Sequence, residues 1–271
     1  MSHARSLLGE VYNITLPLRG ISPRVVGVVL GGALWTALAT VFPEGLMPYP
    51  WEVVRLGVGL FQRGVVFENL AATLYATILG FVGAFLLGGS IGVLMGTTGY
   101  GRRFFTPHVI AGLSIPAVAW AAVTTISLGL NVGAPIAASV LTVFPYLTIN
   151  VWKGVEGIDM DKVHMSQSFG VSNRRIIRRL ILPSIAPALF SALRFGMAIS
   201  WKVVTIAEIF AATRGIGYKL IQAYDYYKFA DAWAWAFVFF AVILIFEYLL
   251  FRPLERKVFE YRPEADLEMI G

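Results

Sequence analysis

Residues 161–183 read DKVHMSQSFGVSNRRIIRRLILP, a polar island between two long apolar runs. The island divides at Gly170. Before it, Asp161 to Phe169 can form a short helix, and the glycine permits a sharp turn that a residue with a Cβ resists. After it, Ser172 or Asn173 can cap a second helix. In that helix Arg174, Arg175, Arg178 and Arg179 form one face, and Ile176, Ile177, Leu180 and Ile181 form the other. Pro183, which lacks a backbone donor, is expected to end or bend it before the next apolar run.

Those apolar runs set the fold class. The 271 residues are 57% hydrophobic and only 14% charged, with mean hydropathy +0.71. A soluble domain carries roughly 25% charged residues. The excess comes in blocks long enough to cross a bilayer, which needs about 20 residues of helix. Six spans are expected, at about Val25–Phe42, Asn69–Met95, Pro107–Leu128 (with Pro116 inside), Ala134–Trp152, Pro187–Ala211 and Trp233–Phe251. They lack the alternation of a barrel, and backbone groups in lipid must be satisfied within their own segment, so the spans are helices. The fold class is therefore all-α, a polytopic membrane protein. The mixed, polar start of the chain does not read as a signal peptide, so the first block is expected to be a retained span.

Lysine and arginine orient the spans. Fifteen fall on the side of the opening stretch, and five (Arg55, Arg63, Arg214, Lys219 and Lys228) on the other. The bias puts residues 1–24, the loop 153–186 and the tail 252–271 in the cytoplasm. It also accounts for the net charge of +6, leaving no need for a nucleic-acid partner. Gly80, Ala84, Gly88, Gly92 and Gly96 recur every four residues in the second span, a stripe that lets another helix approach closely. Packing within the chain is the preferred explanation, with a dimer contact as the other. With no cysteine and three histidines far apart, neither thiolate chemistry nor a paired-histidine metal site is expected. No catalytic arrangement stands out, so the chain is not expected to be an enzyme or to hold a cofactor.

An interfacial helix held on anionic lipid explains the arginines but not the whole unit of helix, glycine turn, capped helix and Leu-Pro. Gly170 is followed, after nine residues, by Leu180-Ile181-Leu182-Pro183. In this the chain resembles the membrane subunits of ATP-binding-cassette (ABC) importers, in the nitrate/sulfonate/taurine permease family. Their cytoplasmic signature has Glu-Ala-Ala, three residues, Gly, nine residues and Ile-x-Leu-Pro. Here the Glu-Ala-Ala positions hold His164-Met165-Ser166, a departure from the pattern. The resemblance extends to Pro48-Tyr49-Pro50-Trp51-Glu52-Val53, the glycine-rich second span, Ser114-Ile115-Pro116, and Trp201 to Glu208 followed by Thr213-Arg214-Gly215-Ile216-Gly217.

The resemblance implies a single permease domain over 1–271 of the type I importer kind, in the inner (cytoplasmic) membrane with both termini cytoplasmic. It further implies a second copy of the chain, two ABC ATPase subunits that carry ATP and Mg, and an extracytoplasmic solute-binding protein. The coupling residues would be His164, Met165, Ser166, Gly170, Leu182 and Pro183. No G-x-x-x-x-G-K-[ST] stretch occurs in the chain, so ATP hydrolysis is expected from a partner. The competing reading is an ion-coupled secondary transporter acting without an ATPase.

Charges inside spans mark a transport path by default. Lys202 lies roughly 14 Å from the outer end of the fifth span at about 1.5 Å per residue. A cation there suits a small anion; a carboxylate partner on a neighbouring helix explains it equally well. Trp201 and Trp120 are path candidates whose other explanation is lipid or helix packing. Glu208, the last candidate, is six residues from Lys202 and badly placed to pair with it; near the outer interface, simple solvation is its other explanation. Arg194 and Glu247 are expected to snorkel or pair locally.

Overall fold

The computed structural model describes residues 22–43 and 45–253. The expected cytoplasmic terminal segments, with Arg5, Arg19, Arg256, Lys257 and Arg262, fall largely outside the described residues. The described secondary structure is helical throughout, with α1 (Pro23–Val41), α2 (Pro50–Gln62), α3 (Val65–Thr97), α4 (Gly99–Ser114), α5 (Ala117–Leu128), α6 (Gly133–Glu156) and α7 (Met160–Ser168) in its first part. After these come α8, continuous from Asn173 to Ala211, α9 (Ile216–Asp225), and α10 (Phe229–Phe246), which continues through a wide π-type turn to Phe251.

Four helices (α3, α6, α8 and α10) have the length and apolar character to cross a membrane, and α4 with α5 makes a fifth candidate as a bent pair. The expected first span is the shorter apolar helix α1. The expected third span is not one straight helix but two, bent by 96°. Pro116 is the cause. The residue before a proline is pushed out of the helical region, and Ile115 sits at φ −81°, ψ 122°, so α4 stops at Ser114. The start also differs, because Thr98 caps α4 by accepting from the Gly101 amide, so the helix begins at Gly99, eight residues before the predicted Pro107.

The centre is built on α3, α6 and α8. The small-residue stripe of α3 lies on α6: a Cβ on Gly88 would stand 2.5 Å from the Phe144 carbonyl oxygen, and one on Gly92 2.7 Å from that of Thr148. The stripe therefore serves packing within the chain. In lipid, apolar side chains gain little by leaving their solvent, so close backbone approach and dispersion hold helices together. Ala84, Val143, Leu147 and Ala192 fill the contact. A second cluster joins α10 to α8 and α3 through Trp201, Ala234, Trp235, Val238 and Val66. Arg194 on α8 pairs with Glu247 at the end of α10, the local pairing expected of them.

The helix after Gly170 does not end at Pro183. It runs on into the membrane segment, with a π-type turn at Ile177–Ile181 immediately before the proline. In a regular helix the Pro183 ring would collide with the carbonyl four residues back. The widened turn, closed by the Leu182 amide on the Ile177 carbonyl, relieves that conflict without breaking the helix. Ser172 occupies the cap position, but its side chain makes no capping bond.

Candidate functional site

Three groups of predicted residues fall in three separate places. The first is α7 and its turn. Asp159 starts the helix by accepting from the Asp161 and Lys162 amides at 3.1 and 3.2 Å, and its other oxygen meets Lys162 Nζ at 3.1 Å. These bonds, Lys162 first, hold the Asp159 carboxyl below its ordinary value. At the far end Phe169 closes the helix, the Gly170 amide bonds the Gln167 carbonyl at 2.9 Å, and the Val171 amide bonds that of Ser166 at 3.1 Å. This paired closure needs a left-handed residue at the turn, and Gly170 has φ +70°. Only Val163 is buried; His164, Met165 and Phe169 are exposed, Ser166 half-buried. The result is a nine-residue knob, capped at both ends, joining α6 to α8 in sequence. Leu182 and Pro183 are exposed at the base of α8.

The second place is a cavity of about 320 Å³ at the α4–α5 break. Ser114, Ile115, Pro116 and Ala117 line it from the break, Thr142 and Tyr146 from α6, and Ile199, Lys202 and Val203 from α8. Lys202 is exposed and makes no ion pair with any described carboxylate. Its alternative explanation, a pairing on a neighbouring helix, has no counterpart among the described residues. Ala117 begins α5, so the positive end of that helix's dipole and the Lys202 ammonium border the same space. Such a site attracts negative charge.

The tryptophans stand elsewhere. Trp201 is buried, with its ring 6.0 Å from Phe239 and 5.5 Å from Phe246 on α10. Trp120 is half-buried beside the α5–α6 contact, and its carbonyl accepts from Thr124 Oγ1 at 2.9 Å. Neither lines the Lys202 cavity.

The third place is around Glu208. Simple solvation does not describe it: the residue is 2% exposed. Its Oε2 accepts from Thr73 Oγ1 at 3.0 Å and from the Gly217 amide at 2.9 Å. The Ile216 amide donates to Thr73 Oγ1 at 2.9 Å and the Gly215 amide to Asn69 Oδ1 at 3.1 Å. Three orphan amides at the start of α9 are thus held by side chains of α3 and α8, with an acidic group where the helix dipole favours one. Gly215 and Gly217 are required because a Cβ on either would collide with Glu208 or with the Thr205 carbonyl. Glu208 also borders a second cavity of about 480 Å³ with Asn131, Thr213 and Arg214. Sequence reasoning missed Asn69 and Thr73. Their signal was polarity in an apolar span, four residues apart on one face.

A family model described as "Binding-protein-dependent transport system inner membrane component" matches residues 84–258. The taurine transport system permease protein TauC of Escherichia coli K12 is 25% identical over 86% of this chain and 86% of its own length. The putative aliphatic sulfonates transport permease protein SsuC of the same organism is 26% identical over 90% and 92%. A probable ABC transporter permease of Brucella abortus is 25% identical over 92% and 98%. Among solved structures, a chain of the MetNI methionine ABC transporter in an inward-facing form matches with TM-score 0.58 at 19% identity, covering 80% of this chain and 99% of that one.

Proposed function

The chain belongs to the binding-protein-dependent transport system inner membrane components, and from that premise we propose that it moves a small organic or inorganic anion through the cavity at Lys202. It is the multi-pass permease subunit of an ATP-driven importer, a family that works with an ATPase and a binding protein. In the proposed arrangement two copies form the pathway, both termini and α7 are cytoplasmic, and two ATPase subunits dock on α7. ATP binding opens the pathway outward, and hydrolysis returns it inward.

The observation that carries the anion assignment is Lys202 without a described carboxylate partner, lining a cavity at a helix break. A cation at that depth is costly unless it is compensated. A transient anionic substrate supplies that compensation, and the taurine and sulfonate permeases among the relatives are named for anionic or zwitterionic sulfonates. The capped shape of α7 supports the coupling role, since a short helix fixed at both ends passes on displacement that a slack loop would absorb. In this reading the exposed His164 and Met165 meet the ATPase, with the half-buried Ser166 beside them.

The test is uptake by the chain reconstituted in liposomes with its ATPase and binding protein. Uptake should require all three and should be absent for the chain alone; ion-driven uptake by the chain alone would refute the reading. Lys202→Met should lower uptake of the anion about tenfold or more, the scale of one lost charge-assisted contact. Uptake equal to wild type would remove Lys202 from the path.

A further inference from the structure

The turn that closes α7 occurs a second time, at the end of α9, with one difference. There Tyr226 closes the helix, the Tyr227 amide bonds the Tyr224 carbonyl at 2.9 Å, and the Lys228 amide bonds that of Ala223 at 2.9 Å. The hydrogen-bond pattern is the same as at Gly170, so the turn residue must again be left-handed. At α7 that residue is glycine. At α9 it is Tyr227, with φ +56°, the only described residue other than glycine with positive φ. A bulky side chain there is a genuine outlier.

Among the described residues little compensates for it. Tyr227 is 82% exposed, and its one ring neighbour is Phe229, edge-on at 6.1 Å. A tyrosine whose described packing is limited to that one edge-on ring, at a position that favours glycine, points to a contact outside the chain. Its neighbours point the same way. Tyr224 and Tyr226 are 57% and 68% exposed, and Asp225 and Lys228 are exposed between and beside them. The run Tyr224-Asp225-Tyr226-Tyr227-Lys228 therefore presents rigid aromatic rings interleaved with both signs of charge. That is the chemistry of a protein-recognition surface. A tyrosine that only anchors the chain in lipid headgroups needs no left-handed backbone and gains nothing from a flanking carboxylate.

The surface is also held rigidly. Its helix is tied at its start to Asn69, Thr73 and Glu208, so the backbone that carries the rings is anchored to α3 and α8. We propose that the Tyr224–Lys228 knuckle is a docking point for the extracytoplasmic solute-binding protein, with Tyr227 as its anchor. This rests on the reading of the chain as an importer permease whose α8–α10 connection faces outward. The rigid tie gives docking a mechanical path to the helices that border the Lys202 cavity.

The test uses the assembled transporter in lipid nanodiscs and the purified cognate binding protein with its co-purified ligand. ATP hydrolysis is titrated against binding-protein concentration. Tyr227→Gly removes the ring and relieves the backbone, so thermal stability should be equal or higher while the half-saturating concentration rises about tenfold or more. Tyr227→Asn, which also tolerates the left-handed conformation, should show the same rise. An unchanged half-saturating concentration in both variants would overturn the proposal. So would a rise that disappears when the fraction of anionic lipid is changed, because the loop would then be a lipid anchor. A wild-type complex that hydrolyses ATP but ignores the binding protein at every concentration would instead remove the importer reading itself.

Discussion

Replacing Glu208 by alanine should release the start of α9 without unfolding the spans. The carboxyl group accepts two hydrogen bonds in a site that is 2% exposed. Thr73 Oγ1 can turn to the Asn69 carbonyl, 3.2 Å away, so its loss is small. The Gly217 amide has no such alternative, and an unsatisfied buried donor costs about 1–3 kcal/mol. The void left by the side chain adds about 1 kcal/mol or more. A total of about 3 kcal/mol corresponds to a fall of about 150-fold in protection of the Gly215, Ile216 and Gly217 amides against hydrogen exchange. The assay is exchange with mass-spectrometric readout on a peptide covering 212–225 in the intact complex. Glu208→Gln keeps the volume and one acceptor oxygen, so its effect should be about 1 kcal/mol, roughly fivefold. If the alanine variant exchanges at the wild-type rate, the three-point tie does not hold α9. If the glutamine variant loses as much as alanine, negative charge at the helix start, and not hydrogen-bond geometry, is the operative term.

Three further outcomes follow from the geometry. Gly88→Val places a branched side chain where a Cβ already falls 2.5 Å from the Phe144 carbonyl oxygen, and should cost about 3 kcal/mol or more, read as a lowered melting temperature in detergent. The adjacent Gly89→Ala meets nothing within 4 Å and should be neutral or stabilising by up to about 1 kcal/mol; equal effects at the two sites would contradict the α3–α6 packing. Gly170→Val forces a β-branched residue to φ +70° and should cut the ratio of solute imported to ATP hydrolysed at least about fivefold, with normal membrane insertion. Protonation of Asp159 should not disturb α7 in ordinary transport assays. Its depressed value means that the cap is fully present above about 3.8 and is lost only as pH falls through the folded value below that; loss of coupling between pH 5 and 8 that is abolished by Asp159→Asn would contradict this.

The α7 knob was legible because its signals are local. Its boundaries, Met160–Ser168 against an expected Asp161–Phe169, depend on an acidic cap and a glycine a few residues away. The α3 stripe was legible because small residues at a period of four can serve only close approach. What escaped was non-local or directional. Hydropathy sums over Ser114-Ile115-Pro116 without sensing that the chain turns there by 96°. The π-type turn before Pro183 is a response to a helix that must continue, and no propensity records that demand. Glu208 looked solvated because Thr73, its side-chain partner, lies 135 residues away. The tyrosine at φ +56° was invisible for the opposite reason: sequence statistics place glycine or asparagine in such turns, and Tyr227 violates them.

The two matching helix closures fall on opposite faces of the membrane in the proposed orientation; the first leads into α8 and the second, at the end of α9, leads into α10. α7 precedes α8 directly, and α9 follows it and is tied back to it through Glu208. α8 runs continuously for 39 residues between them, about 58 Å at the helical rise. In that proposal a displacement applied at α7 reaches the start of α9 through α8 and the Glu208–Gly217 hydrogen bond, passing Lys202 on the way. The widened turn at Ile177–Ile181 departs from regular α-helical geometry along that rod, and such bulges are frequent at functional sites. It lies between α7 and the cavity, so if α7 is the coupling knob as proposed, its motion reaches the cavity only through that turn. Replacing Pro183 by alanine removes the steric reason for the π-type turn. The rod should then revert to regular helix, shifting the register of α7 against the cavity by one residue, about 100° of rotation. Coupling should fall while ATP hydrolysis and thermal stability persist; full coupling in Pro183→Ala would show that the turn plays no part in transmission.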